Sequence, residues 1–128
     1  MSFERDISIL SDLEDVVSQE GRKLGINIDR RLIQETPRDT GSAKASWLVA
    51  YSQPRNEIID VNGGDVDTAA LQAIENGAAT ASRFKAGDVL FITNNQPYIE
   101  RLNEGYSEQA PSRYVDQIIE EEVRRADR

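Results

Sequence analysis

The spacing of apolar residues predicts one long helix from about Phe3 to Gln34. Apolar or small side chains recur every three or four residues and therefore share one helix face: Leu10, Leu13, Val17, Gly21, Leu24, Ile28 and Leu32. Glycine in a helix costs about 1 kcal/mol relative to alanine. We therefore expect another backbone to approach closely at Gly21, with a mild kink of the helix as the alternative.

The length of this helix predicts contacts outside the chain. At ~1.5 Å per residue it is about 45 Å long, which exceeds what a domain of this size needs. Pro37 pushes Thr36 out of the α region, so the helix ends before them. We expect part of the helix to pack on a neighbouring subunit.

Three short segments have the composition of strands. Trp47–Tyr51 is β-prone, and Glu57–Val61 lies between a proline and a glycine-containing turn. Val89–Thr93 is almost continuously apolar, which predicts a strand buried on both faces. These segments predict a sheet that is mostly antiparallel.

Two further segments have helical periodicity. Val66, Ala69, Ala73 and their neighbours predict a helix from Asp65 to about Asn76, with Gly77 as its stop signal. A second helix is predicted from Ser112 to about Ala126. Its acidic run, Glu120–Glu122, is expected to form part of a solvated face.

The segment between the last strand and the last helix contains several turn signals. Asn95 is suited to cap a short helix, and Pro97 lies near the first helical position, where a missing N–H costs nothing. Gly105 lies where a left-handed residue closes such a helix. This geometry is typical of a structural connector.

Together these elements predict an α+β fold in one domain, residues 1–128. A long N-terminal helix and a C-terminal helix pack on a small, mostly antiparallel sheet of about three or four strands.

Composition narrows the possible chemistry. The chain contains neither histidine nor cysteine, which excludes disulfides, thiolate metal sites and a Ser-His-Asp triad. The net charge of −8 argues against a protein that binds nucleic-acid phosphates. No apolar run is long enough to span a membrane. No residue is assigned to catalysis, to a cofactor or to a metal.

One tripeptide, Asp39-Thr40-Gly41, matches the motif of aspartic proteases. In those enzymes an apolar strand precedes the motif, and a second apolar strand ending in glycine supports it. Here the polar segment Glu35–Arg38 precedes it, and no such partner strand follows. A capping and turn role for Asp39 or Thr40, ahead of a short helical turn that runs to Trp47, is the favoured interpretation. A dimeric hydrolase is the alternative from another functional class.

Two motifs follow each other along the chain. The first motif comprises Thr36, Pro37, Asp39, Thr40, Gly41, Ser46 and Trp47. The second comprises Asn94, Asn95, Pro97, Tyr98, Leu102, Glu104, Gly105, Ser107, Gln109, Ala110 and Pro111. Together and in this order they resemble the neck or tail-completion proteins of tailed bacteriophages, which include HK97-type minor tail proteins and the lambda-type tail-completion protein Z. Tyr114 departs from the pattern, because related sequences often carry glycine or a small residue soon after the proline.

The resemblance implies a structural virion protein at the head–tail junction, made in the bacterial cytoplasm. It implies a ring of identical copies, with a hexamer favoured, in contact with adjacent connector and tail-tube or terminator proteins. Genome DNA would pass through the lumen without specific binding. A tail terminator that caps the tail tube, or a head-closure protein, is the alternative within this class. The resemblance implies no catalysis, no cofactor and no membrane.

Overall fold

The computed structural model describes residues 3–37, 41–61, 64–97, 99–105 and 112–126, with the side chains of the first helix described from residue 12 onward. The described elements are, in order, α1 (Phe3–Glu35), α2 (Gly41–Ala45), β1 (Leu48–Tyr51), α3 (Val66–Ala81), β2 (Leu90–Thr93), α4 (Ile99–Asn103) and α5 (Tyr114–Ala126). The predicted α+β class is confirmed.

The carboxyl end of α1 is held by a lysine from the next helix. The Lys44 ammonium donates hydrogen bonds to the carbonyl oxygens of Ile33 and Gln34 at 2.8 Å and of Thr36 at 3.0 Å. The last carbonyls of a helix have no partner within the helix and carry partial negative charge. A cation from α2 therefore caps α1 and fixes α2 beside it.

The sheet is smaller than the sequence predicts. Its two described strands, β1 and β2, pair antiparallel with Leu48 opposite Thr93 and Tyr51 opposite Leu90. The prediction of a strand at Glu57–Val61 is wrong. The side chains of Ser42, Ser46 and Asn95 bond to the backbone of this segment, and it pairs with neither of the two described strands.

The predicted burial of β2 on both faces is also wrong. All four of its residues are half-buried, and Val89 before it is 58% exposed. Helices α1 and α3 contact this sheet. Because the sheet has only these two strands in the described part of the chain, each of them is an edge strand.

The prediction that Gly77 ends α3 is wrong, because Gly77 lies inside this helix. Asp65 caps the start of the helix, because its carboxylate accepts from the backbone N–H groups of Asp67 and Thr68, and the helix continues to Ala81. A Cβ at Gly77 would lie 2.0 Å from the Asp29 carboxylate of α1. Glycine is therefore required because α1 and α3 approach closely here.

The expected close approach at Gly21 is present, but a side chain and not a backbone makes it. A Cβ there would lie 2.2 Å from the Phe84 ring. The loop that carries Phe84 is tied to α1 at two points. The Arg22 guanidinium donates to the Phe84 carbonyl at 2.6 Å, and the Ala86 N–H donates to the Ser18 hydroxyl at 2.8 Å. This loop marks the end of the packed part of α1.

The hydrophobic core joins the second half of α1 to α5, α3 and α4. Its buried members are Leu32, Ile33, Ala43, Trp47, Ala70, Leu102, Tyr114 and Ile118. In contrast, all six residues of α1 from Asp12 to Val17 are exposed. We call these six residues the arm. Among the described residues, no helix combines the length and the apolar character that crossing a bilayer requires.

Candidate functional site

The first motif centres on a buried threonine hydroxyl. Thr36, which is 1% exposed, donates to the Leu32 carbonyl oxygen at 2.6 Å. Its oxygen accepts the Trp47 indole N–H at 2.9 Å. The Tyr114 hydroxyl lies 3.2 Å away and is the donor, because the single Thr36 proton is already used. One hydroxyl therefore joins the end of α1, the start of β1 and the start of α5.

Tyr114 belongs to this site, although it departs from the motif pattern. Its side chain is 2% exposed, and burial raises the pKa of its hydroxyl above the ordinary value. The hydroxyl therefore remains protonated and donating over the physiological range. A buried aromatic ring with a satisfied polar tip contributes both apolar contact and direction.

A second hydroxyl, that of Ser46, joins the two motifs. It donates to the Ser42 carbonyl and accepts the Ile59 backbone N–H at 3.1 Å and the Gln96 amide at 3.4 Å. Ser46 is fully buried and Gln96 is almost so. The segment after β2 is thereby fixed to α2 and to the extended segment around Ile59.

Replacing Ser46 by alanine is expected to lower the free energy of unfolding by about 2–3 kcal/mol, because the Ile59 N–H and the Gln96 amide lose their acceptor. The measurement is urea unfolding followed by Trp47 fluorescence. Ser82→Ala is the matched control, since the Ser82 hydroxyl bonds only to the Ala78 carbonyl on an exposed helix end, and it should change stability by less than about 0.5 kcal/mol. Equal losses in the two variants would contradict the role assigned to Ser46.

Asn94 and Asn95 bond in two directions. The Asn94 amide donates to the Ala43 carbonyl of α2 at 2.9 Å. The Asn95 amide donates to the carbonyls of Arg55 and Glu57 at 2.9 and 3.1 Å. The prediction that Asn95 caps the short helix is wrong, because its side chain binds this distant backbone instead.

The end of the second motif fixes the start of α5. The Asn103 side chain accepts the Val115 N–H at 2.9 Å and donates to the Asp116 carboxylate at 3.0 Å. This hydrogen bond is the main reason that the pKa of Asp116 lies below its ordinary value. Gly105 has the expected left-handed conformation, with φ of +98°, and packs against Ser112.

The remaining motif residues differ in where they lie. Leu102 lies in the core and Pro37 is buried, whereas Pro97 and Glu104 are exposed. Gly41 begins α2. The residues Asp39, Thr40, Tyr98, Ser107, Gln109, Ala110 and Pro111 lie outside the described part of the chain. The proposed cap by Asp39 or Thr40 thus stays a prediction.

No protein-family model, curated protein or solved structure matches this chain. The interpretation of the site therefore depends on its geometry and on the resemblance of its motifs.

The acidic run of α5 is only partly solvated, contrary to the prediction. Glu122 is 4% exposed and binds Arg31 of α1 at 2.8 Å and Arg125 at 3.0 Å. Arg31 also binds Glu35 and Glu121, each at 2.8 Å. This cluster fastens the outer half of α5 to α1.

Asp29 is the buried carboxyl that sequence reasoning missed. It is 1% exposed, and its Oδ1 atom has no hydrogen-bond partner. Burial raises the pKa of Asp29 from its ordinary value to about 7. The carboxyl is therefore largely protonated below neutral pH, at the point where α1 meets Gly77 of α3.

A cleft of about 220 Å³ opens beside this contact, between β1 and α3. Trp47, Val49, Ala73 and Gly77 line its apolar part, and Arg55 also lines it. Arg55 is paired with Glu57. Within the described ranges, no group of three or more acidic residues is arranged to hold a metal ion.

Three residues of this site had no identifiable signal in the sequence. Tyr114 and Asn103 act across 78 and 12 residues of chain, respectively. Lys44 lies within the first motif, but its partners are main-chain carbonyls, which any sequence provides.

Proposed function

We propose that the chain is a structural subunit of a tailed-bacteriophage neck, a tail-completion protein that assembles as a ring at the head–tail junction. The observation that carries the proposal is the arm of α1. Its Leu13, Val16 and Val17 are 57%, 56% and 53% exposed. Their spacing places them on one helix face. Large exposed apolar surfaces on soluble proteins mark sites of association.

The interlocked motifs support the same function. Thr36 and Ser46 fix the end of α1, α2 and the segment after β2 relative to one another. A subunit that presents a long helix to a neighbour needs that helix held in one direction. The residues that resemble the phage family thus have a mechanical role in the fold.

A closed ring uses two different surfaces of each copy, related by rotation. The resemblance favours a hexamer, with connector and tail-tube or terminator proteins on either side. The chain's net charge of −8 suits a lumen that repels DNA phosphates and lets the genome slide. A lumen lined mainly by lysine and arginine would contradict this part of the proposal.

The purified chain is expected to form rings as its concentration rises. Native mass spectrometry should give a single closed copy number, and negative-stain electron microscopy should show particles with an axial hole. Leu13→Ser with Val17→Ser should shift the population to monomers, because the exposed stripe loses its apolar contact area. The matched control is Leu71→Ser, which removes an equally exposed leucine from α3. Wild-type protein that forms open filaments or two-fold dimers would contradict the ring.

Deleting the gene from the phage or prophage that encodes the chain tests at which position in the particle the protein acts. For a tail-completion protein we expect full heads and tails of normal length that do not join, with joining restored by purified protein. Tails of uncontrolled length would indicate a terminator, and heads that leak DNA would indicate a head-closure protein. Normal infectious particles would overturn the proposal.

A further inference from the structure

We propose that the acidic arm of one copy seats in the basic groove between α1 and α5 of a second copy. The proposal identifies the surface that receives the arm, and it rests on the proposed function for the idea that copies associate. Its two halves lie on one chain and carry opposite charge.

The arm combines an apolar stripe with a purely acidic border. Asp12, Glu14 and Asp15 are its charged residues, and it has no basic residue. At 100° per residue, Asp12 and Glu14 fall on opposite sides of the stripe formed by Leu13 and Val17. Two arms placed side by side would bring these carboxylates together, so like-charge repulsion disfavours arm-to-arm pairing.

The groove has the complementary character. It has a volume of about 220 Å³ and lies where the outer end of α5 meets α1. Leu24 and Ala126 contribute apolar surface, and its cations are Lys23, Arg30, Arg31 and Arg125. Its carboxylates are Glu20 and Glu122.

The cations differ in how far they are already paired. Arg31 is engaged by Glu35, Glu121 and Glu122. Lys23 and Arg125 are exposed, with 69% and 65% of their side chains accessible, and they contact the carboxylates of Glu20 and Glu122, respectively. Arg30 is exposed and bonds to the neutral Asn27 amide. Lys23, Arg30 and Arg125 therefore retain charge for an incoming acidic helix.

The arm and the groove are also continuous along α1. Leu13, Val17, Leu24 and Arg31 share one helix face by spacing. Helix α5 covers this face beside Leu24 and Arg31, and its described part ends at Ala126, so the described residues of the same chain leave the arm exposed. The arm and the groove are therefore neighbouring surfaces of α1.

Charge reversal tests the contact. Asp12→Lys with Glu14→Lys reverses the arm, and Lys23→Glu with Arg30→Glu reverses the groove. Each variant alone is expected to raise the dissociation constant of self-association roughly 100-fold, because like charges then face each other. An equimolar mixture of the two should recover assembly, since every contact again joins opposite charges. Glu75→Lys with Glu100→Lys, at exposed positions of α3 and α4, is the charge-matched control and should assemble as the wild type does.

The readouts are sedimentation velocity and native mass spectrometry, with circular dichroism to verify that each variant is folded. Unchanged assembly of either reversal, or a mixture that fails to recover, overturns the contact. A wild-type chain that stays monomeric at every concentration tested also overturns the contact. Recovery of a two-fold dimer would support the contact and contradict the ring, so the two proposals fail separately.

Discussion

Replacing Thr36 by valine is expected to lower the free energy of unfolding by about 3–5 kcal/mol. Valine keeps the shape of threonine but removes the hydroxyl that accepts from Trp47 and Tyr114. Two buried donors then lack an acceptor, and each costs about 1–3 kcal/mol. Because domains of this size are stable by about 5–15 kcal/mol, the variant is expected to be marginal at 37 °C.

Urea unfolding monitored by the fluorescence of Trp47, the single tryptophan, measures this loss. Thr36→Ser keeps the hydroxyl and is the matched control, with an expected loss of about 1 kcal/mol for the missing methyl. A double-mutant cycle adds Tyr114→Phe, which should cost less in the Thr36→Val background because it removes an unpaired donor. If valine and serine are equally tolerated, Thr36 does not organise the site.

Replacing Asp29 by asparagine is expected to make the chain more stable relative to the wild type as the pH rises. The Asp29 carboxyl titrates near pH 7 in the folded chain and near its ordinary value of 3.8 in the unfolded chain. Because the pKa is raised, the carboxyl keeps its proton to a higher pH in the folded state than in the unfolded state. The stabilisation that the Asp29 carboxyl contributes is therefore fully present below its unfolded pKa and is lost as the pH rises toward 7. Asparagine does not titrate.

The quantity to measure is the change in the stability difference between Asp29→Asn and wild type from about pH 4 to about pH 8. We expect this difference to shift in favour of the variant by about 3–4 kcal/mol. Any constant cost of burying the amide cancels. Asp116→Asn is the control: the pKa of Asp116 is lowered from 3.8, so its stabilising effect is lost only as the pH falls below about 4, and its stability difference from wild type should stay nearly constant from about pH 4 to about pH 8. Parallel profiles for Asp29→Asn and wild type would show that the carboxyl ionises freely.

The helical periodicity of apolar residues was enough to predict much of the fold. The stripe from Leu10 to Leu32 indicates α1, and Pro37 marks where it stops, because both signals are local. The same holds for α5 and for Gly105, whose left-handed conformation closes a short helix. Features set by contacts within a few residues are therefore recoverable from sequence.

The errors arise where distant groups decide the outcome. Glu57–Val61 has a strand-like composition, but its backbone is satisfied by the side chains of Ser42, Ser46 and Asn95. Gly77 looks like a stop signal because the sequence does not show that Asp29, on another helix, lies against it. Neither fact has a local counterpart.

The sequence predicts only part of the candidate site, for a related reason. Its two motifs could be identified in order, but their junction could not. The hydroxyls of Thr36 and Ser46 act on groups far away in the chain, such as Tyr114 and Gln96. Hydroxyl-bearing residues are common in loops and caps, so nothing marks these two as buried centres.

The arm is a short lever. The Ser18 hydroxyl and the Arg22 guanidinium hold α1 to the loop that carries Phe84, whereas the arm projects beyond this point. Leu13 lies about 8 Å from Ser18 along the helix axis. Force applied to the arm is therefore delivered, as torque, first to the Phe84 loop and not to the buried hydroxyls of Thr36 and Ser46.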